Sequence, residues 1–271
     1  MLAQRLTTAA IGIPLILAVV LLGGVVYALV AAAILVLAAL EFVAMVDLTE
    51  SGEPPKRAWR PGASEIAVVA GIVLVVIGAD TGMDEWTGAI VAALGLVFIA
   101  CTASQSRGLQ DWLPAVGALM YIGVLGSYLV ILRDIPDGAD WILLAVVATW
   151  GTDTFAYFTG KAIGRHKMAP RISPGKTWEG TAGALVGGLL TIIVLDLLLT
   201  LPMSTGDAVL LGLILPAVSV AADLGESMLK RGAGVKDTSE LIPGHGGFLD
   251  RLDSILFTVP LVYYFVIWVV V

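Results

Sequence analysis

Runs of apolar residues recur along the chain from Leu6 to the C-terminus, cut by short stretches rich in Gly, Pro and charge. A helix needs about 20 mostly apolar residues to cross a hydrocarbon core about 30 Å thick. Cutting the runs at their breakers gives nine candidate spans. They are Thr7 to Leu22, Val25 to Val46, Ser64 to Ala79, Trp86 to Ala103, Trp112 to Leu132, Trp141 to Gly160, Trp178 to Leu201, Asp207 to Met228 and Leu252 to Val271. The uncharged stretch from Leu6 to Leu40 is roughly twice a signal-peptide core, so it is read as two retained helices. Only Gly23 and Gly24 separate them.

The basic residues test this count independently, because Lys and Arg collect in the loops on the inner side of a membrane. With the N-terminus inside, the inner segments hold Arg5, then Lys56, Arg57 and Arg60, then Arg107, then Lys161, Arg165, Lys167, Arg171 and Lys176, and finally Lys230, Arg231, Lys236 and Arg251. That is fourteen of fifteen, with Arg133 alone outside. The outer loops carry acid instead: Asp80, Asp84, Glu85, Asp134, Asp137, Asp140 and Asp207. The pattern predicts an all-α, polytopic integral membrane protein with about nine transmembrane helices and a cytoplasmic N-terminus.

Composition sharpens the class. The 271 residues are 58% hydrophobic and 14% charged, against about 25% charged in soluble domains. Cys101 is the one cysteine, which excludes a disulfide framework and a thiolate metal site. His166 and His245 are too few for a zinc site without acidic help. The net charge of −7 says little, because the signs are segregated by face. The expected division is 1–110 for packing, lipid access or dimerisation and 111–271 for catalysis, with cytoplasmic loops at 161–177 and 227–251.

Ionisable groups inside spans are costly, and each is a functional candidate by default. They are Glu41, Asp153, Glu179, Asp196 and Asp223. Asp196 sits among leucines on the outer half and is read as a packing or oligomer contact. Glu41 stays open between a structural hydrogen bond and a role in lipid binding. Asp153 stands in WGTDTFAYFTGK with Thr149 and Tyr157 one turn away on its face, a polar stripe of the kind that lines a cavity.

The end of the eighth span, ADLGESMLKR, puts Asp223, Glu226, Ser227 and Lys230 on one face at spacings of three, four and seven. Two carboxylates beside an amine exceed what membrane packing needs, and carboxylate oxygens suit magnesium, which takes one or two of them plus substrate phosphates. A solvated helix end with salt bridges is the plainer alternative. Further on, KDTSELIPGHGGFLDRLDS carries glycines, among them Gly246 and Gly247, that let the backbone approach a ligand closely. Asp250 opens the ninth helix, with Asp253 three residues on along the same face. Lys230, Arg231, Lys236, His245 and Arg251 surround these carboxylates with phosphate-binding charge.

The loop KMAPRISPGKTWEG contains PGKT, yet it is not a nucleotide-binding P-loop. Pro170 stands where that pattern needs Gly, and a membrane span cannot supply the preceding strand. What remains is a basic loop with Arg171, Ser173, Lys176 and Thr177 leading into the seventh helix, whose N-terminus favours anions. A juxtamembrane basic loop that only orients the protein is the plainer reading.

The stretch SMLKRGAGVKDTSELIPGHGGFLDRLDS, Ser227 to Ser254, resembles the signature of phosphatidate cytidylyltransferases, also called CDP-diacylglycerol synthases. ISPGKTWEG and GTDTFAY resemble the same family, so the likeness covers Trp150 to Ser254. The resemblance implies transfer of CMP from CTP to phosphatidate, giving CDP-diacylglycerol and pyrophosphate for phospholipid biosynthesis. It implies an enzyme in the cell (inner) membrane whose active site faces the cytoplasm, a magnesium requirement that leaves open a second cation such as potassium, and a homodimer. It matches Asp223 and Asp250 to the metal ligands. The catalytic set expected here is Asp223, Asp250, Lys230, Arg231, Lys236, His245, Arg251 and Asp253. Substrate contacts are expected from Asp153, Arg171, Ser173, Lys176, Thr177, Glu226, Ser227, Asp237, Gly246 and Gly247.

No protein nucleophile is needed, because the phosphate of phosphatidate can attack the α-phosphorus of CTP directly. His245 stays open between proton shuttle and hydrogen-bond donor. A transporter is disfavoured, since no inverted repeat is visible and the polar residues gather on one face and not at the midplane. A CDP-alcohol phosphotransferase would show a DGxxAR motif, which the chain lacks.

Overall fold

The computed structural model describes residues 2–51, 62–103, 108–242, 244 and 246–271. The helices are α1 (Leu2–Leu22), α2 (Gly24–Ser51), α3 (Ala63–Thr81), α4 (Met83–Ala103), α5 (Leu109–Ala118), α6 (Leu125–Asp134), α7 (Gly138–Ile163), α8 (Trp178–Leu199), α9 (Thr205–Gly232), α10 (Leu249–Leu252) and α11 (Ile255–Phe265). A π-helical stretch, Leu119–Val124, joins α5 to α6, and another, Val266–Val270, follows α11. Among the described residues eight helical stretches are long and apolar enough to cross a membrane, with a shorter apolar one at Ala10–Leu22. Each of the nine predicted runs therefore contains a helix, and the chain is an all-α polytopic membrane protein.

One element departs from that class. Strands β1 (Lys167–Ala169) and β2 (Ser173–Thr177) pair antiparallel between α7 and α8, with Lys167 opposite Thr177 and Ala169 opposite Ser173. The expected loop is a small hairpin, and PGKT lies within β2 itself.

The chain divides into two compact units, 1–134 with 232–252, and 135–231 with 253–271. In the first, α3 and α4 approach closely through small residues. A Cβ on Gly78 would lie 2.7 Å from that of Ala89, and one on Gly71 would lie 3.3 Å from that of Ala93. Without a hydrophobic drive between helices in lipid, such close backbone packing is what holds them together. Trp86 Nε1 donates to Ser127 Oγ at 2.9 Å, and Tyr27 donates to the Leu129 carbonyl at 3.0 Å.

The same unit accounts for Arg133, the basic residue outside the charge pattern. Its Nε donates to the Val20 carbonyl at 2.8 Å, satisfying an acceptor near the end of α1. Gly23 and Gly24 make the break after α1 in the left-handed region, with φ of 64° and 54°. A Cβ at Gly23 would lie 2.5 Å from the Arg133 guanidinium, so a side chain there would have to displace the arginine's end as well as adopt the left-handed backbone.

In the second unit α7 and α8 pack through glycines. A Cβ at Gly183 would meet Thr159 Oγ1 at 2.3 Å. Thr149 and Thr258 share a buried hydroxyl hydrogen bond of 2.9 Å, which joins α7 to α11, and Ser254 donates to the Ser219 carbonyl at 3.2 Å.

Candidate active site

In the second unit several of the candidate residues gather where the hairpin meets α9. Helical spacing does what the sequence implied: Asp223, Glu226, Ser227 and Lys230 share a face. Ser227 Oγ lies 3.4 Å from Asp223 Oδ1, and Lys230 is ion-paired with Glu226, one turn back. Glu226 is buried at 2% exposure, so the lysine supplies the opposite charge that a carboxylate removed from water requires.

The tertiary contact here is Lys176 of β2, whose Nζ lies 2.7 Å from Asp223 Oδ2 and donates to the Val220 carbonyl at 3.3 Å. Arg231 Nε donates to the Ile172 carbonyl at 3.2 Å, and together these contacts hold the hairpin against α9. Thr177 is the N-cap of α8, accepting from Gly180 N at 3.1 Å. Glu179, in the first turn of α8, accepts from His166 Nδ1 at 2.6 Å and from the Arg165 and His166 amides, which closes the hairpin base. Arg171 is exposed in the turn between the strands and Ser173 begins β2. On α7, Asp153 and Tyr157 are exposed while Thr149, the third member of the predicted stripe, is buried against Thr258.

In the first unit Thr238, Ser239 and the backbone from Gly247 to Leu249 gather around two carboxylates. Asp250 is 6% exposed, and its Oδ2 accepts from Thr238 N at 2.9 Å, Thr238 Oγ1 at 2.9 Å and Gly247 N at 2.8 Å. Glu41, from the C-terminal half of α2, is 5% exposed. Its Oε1 accepts from Ser239 Oγ at 2.6 Å and Phe248 N at 3.0 Å. Its Oε2 accepts from Leu249 N at 2.8 Å and Thr238 Oγ1 at 3.2 Å. Of the two roles left open for Glu41, the structural hydrogen bond is the one observed.

The glycines serve this arrangement. Gly246 has φ of 82°, which L side chains rarely adopt. A Cβ on Gly247 would lie 2.3 Å from Thr238 Oγ1 and 2.4 Å from Glu41 Oε2. The close backbone approach predicted for a ligand is observed here toward the protein's own side chains. Lys236, Asp237 and Arg251 are exposed. His245 lies outside the described residues.

The ninth span, Leu249–Val270, carries a two-residue turn at Asp253 and Ser254, between the end of α10 at Leu252 and the start of α11 at Ile255. Asp253 Oδ1 accepts from the adjacent Ser254 N at 2.6 Å. A short polar side chain bonded to the neighbouring amide competes with continuation of the helix.

Asp223 in one unit and Asp250 in the other each offer carboxylate oxygens, the donor type that magnesium takes. Among the described residues no three His, Cys, Asp or Glu side chains come together as a protein-only cage. A cation that takes one or two carboxylates and completes its shell with substrate phosphate needs none.

Comparison with known proteins decides the family. The cytidylyltransferase family model matches residues 3–269. The chain belongs to that family. Its match takes in both units, including the N-terminal helices, for which the motif likeness was silent. A phosphatidate cytidylyltransferase of Synechocystis sp. is 33% identical over 97% of this chain and 96% of its own length. One of Brucella abortus is 39% identical over 73% of this chain and 70% of its own. One of Bacillus subtilis is 42% identical over 54% of this chain and 55% of its own. Thr238 and Ser239, which bond Asp250 and Glu41, are residues for which the sequence raised no expectation. An acidic residue in an apolar helix was the available signal for Glu41, and the hydroxyls beside Lys236 and Asp237 carried none.

Proposed function

We propose that this chain is a phosphatidate cytidylyltransferase that transfers CMP from CTP to phosphatidate. A phosphate oxygen of phosphatidate attacks the α-phosphorus of CTP. The bond from that phosphorus to the bridging oxygen breaks, and pyrophosphate leaves with the electron pair. The observation that carries this reading is the likeness to a phosphatidate cytidylyltransferase along 97% of the chain.

Both reactants are anions, so the protein's task is to neutralise and align them. Lys176, Lys230, Arg231, Lys236 and Arg251 are the proposed phosphate contacts. Lys176 suits the role because an ammonium has three donors and Asp223 and Val220 take two. Asp223 and Asp250 are the proposed carboxylates for magnesium, which when bound would offset charge growing on the leaving pyrophosphate. The hairpin and the segment 232–252 are proposed to face the cytoplasm, where CTP is found, on the evidence of the basic residues. The resemblance also supports a homodimer.

The test is an assay of purified protein with labelled CTP and phosphatidate, following lipid-linked cytidine with and without magnesium. Magnesium-dependent product is expected. No lipid-linked cytidine with any divalent cation would sink the reading.

A further inference from the structure

Glu41 is an acidic residue in the C-terminal half of an apolar transmembrane helix, where burial of a carboxylate is costly unless it is fully hydrogen-bonded. Three donors meet it and a further one, the Thr238 hydroxyl, is shared between it and Asp250; all of them come from one segment more than 190 residues away, at separations of 197, 198, 207 and 208. Two are the consecutive amides of Phe248 and Leu249, which lead into α10 and have no carbonyl of their own turn to bond. Two are the hydroxyls of Thr238 and Ser239, at the other end of the same segment.

Asp250 grips the same two places. Its Oδ2 takes Thr238 N, Thr238 Oγ1 and Gly247 N, so the Thr238 hydroxyl stands between the two carboxylates. Gly247 leaves no room for a side chain between Thr238 and Glu41. An apolar residue at position 41 would suit the helix better but would leave two backbone amides and the Ser239 hydroxyl of the segment without this acceptor, the Thr238 hydroxyl keeping Asp250. The demand for an acid therefore comes from the segment, not from the helix.

We infer that Glu41 is a positioning residue: from within the membrane helix it ties Thr238 and Ser239 to Phe248 and Leu249 and thereby holds Asp250 in its working position. The second half rests on the proposed role of Asp250, and the first half does not. The carboxylate touches no substrate in this scheme and acts through the loop.

The test compares Glu41→Gln, Ser239→Ala and Asp250→Asn in the full-length protein in lipid nanodiscs. It measures amide hydrogen exchange of peptides covering 238–250 alongside kcat and KM for CTP. Gln keeps the size but turns one acceptor oxygen into a donor facing donors. Exchange at Phe248 and Leu249 should accelerate about ten- to hundredfold, as expected for losing a charge-assisted hydrogen bond. Exchange in α7 should stay unchanged. Turnover should fall by a similar factor, with KM for CTP moving less than about threefold.

Unchanged exchange in 238–250 would overturn the inference, whatever happens to turnover. If Glu41→Gln does not fold, Ser239→Ala decides, with about three- to tenfold faster exchange in the same segment expected and no change fatal. If Asp250→Asn turns over at the normal rate while Glu41→Gln still loosens the segment, the catalytic half falls with the role of Asp250 and the anchor stands. If Asp250→Asn is inactive and Glu41→Gln alters neither exchange nor turnover, the anchor alone is wrong.

Discussion

Asp250 and Asp223 are both short carboxylates near the ends of apolar helices, yet the two units support them in opposite ways. Asp250 is buried and held by two backbone amides and a hydroxyl, beside a second carboxylate that binds the same segment. Asp223 is about a third exposed, at 32% of its side chain, and is matched by the ammonium of Lys176. The first arrangement fixes a position, because several directional bonds must all be satisfied together. The second sets a charge balance, and a lysine on a flexible stem can redistribute its donors when an anionic ligand arrives. Substitutions in the two units should therefore fail differently: loss of loop order in one, loss of ligand affinity in the other.

The largest effects are expected at the carboxylates themselves. Asp223→Asn and Asp250→Asn should each lower turnover by about a hundredfold or more, the scale of removing a key electrostatic group from an active site. The check is initial rate against magnesium concentration. Near-normal rates for either variant at limiting magnesium would remove that residue from the metal assignment and break the comparison on that side.

Next comes Gly247→Ala, which presses a methyl group against Thr238 and Glu41. Turnover should drop about ten- to hundredfold, in line with the 1–3 kcal/mol of overpacking, and the segment should become more sensitive to protease. An alanine variant of normal rate and protease resistance would show that the segment is not tightly held.

Charge removal at Lys176, Lys230, Arg231, Lys236 and Arg251 sharpens the other side. A direct phosphate contact is worth about 2 to 5 kcal/mol on truncation, whereas a solvated lysine is worth about nothing. Lys176→Gln should raise the apparent KM of CTP or phosphatidate about tenfold or more, and which of the two rises identifies the ligand. Uniformly mild losses at all five positions would leave these residues as topology signals.

The smallest effect is a measurement of sidedness, with no change in rate expected. On a Cys101→Ser background, cysteines at Ser173 in the hairpin and at Glu240 in the loop should both resist labelling from outside intact cells. One at Ser204 should react. Labelling at only one of the first two would place the two regions on opposite faces.

Much of this was legible locally. The nine helical segments follow from run length against bilayer thickness, and that quantity needs no knowledge of neighbours. The shared face of Asp223, Glu226, Ser227 and Lys230 follows from helical pitch alone, and the Ser227 and Lys230 contacts bear it out. Pitch alone did not show the turn at Asp253 and Ser254, where the Asp253 side chain bonds the neighbouring Ser254 amide. The hairpin was missed because two strands of three and five residues, one starting with Ser-Pro-Gly, carry no alternating pattern to read.

By itself, then, the sequence determined the membrane class and the apolar runs that become helices, because hydrophobic length is a sum over neighbouring residues. Only the tertiary structure decided which group each carboxylate answers to. Lys176 reaches Asp223 from a different element, and Glu41 reaches Ser239 across 198 positions. A buried acid states that partners are required, but hydrogen bonds a few ångströms long are chosen by the packing of distant segments, which no local pattern encodes.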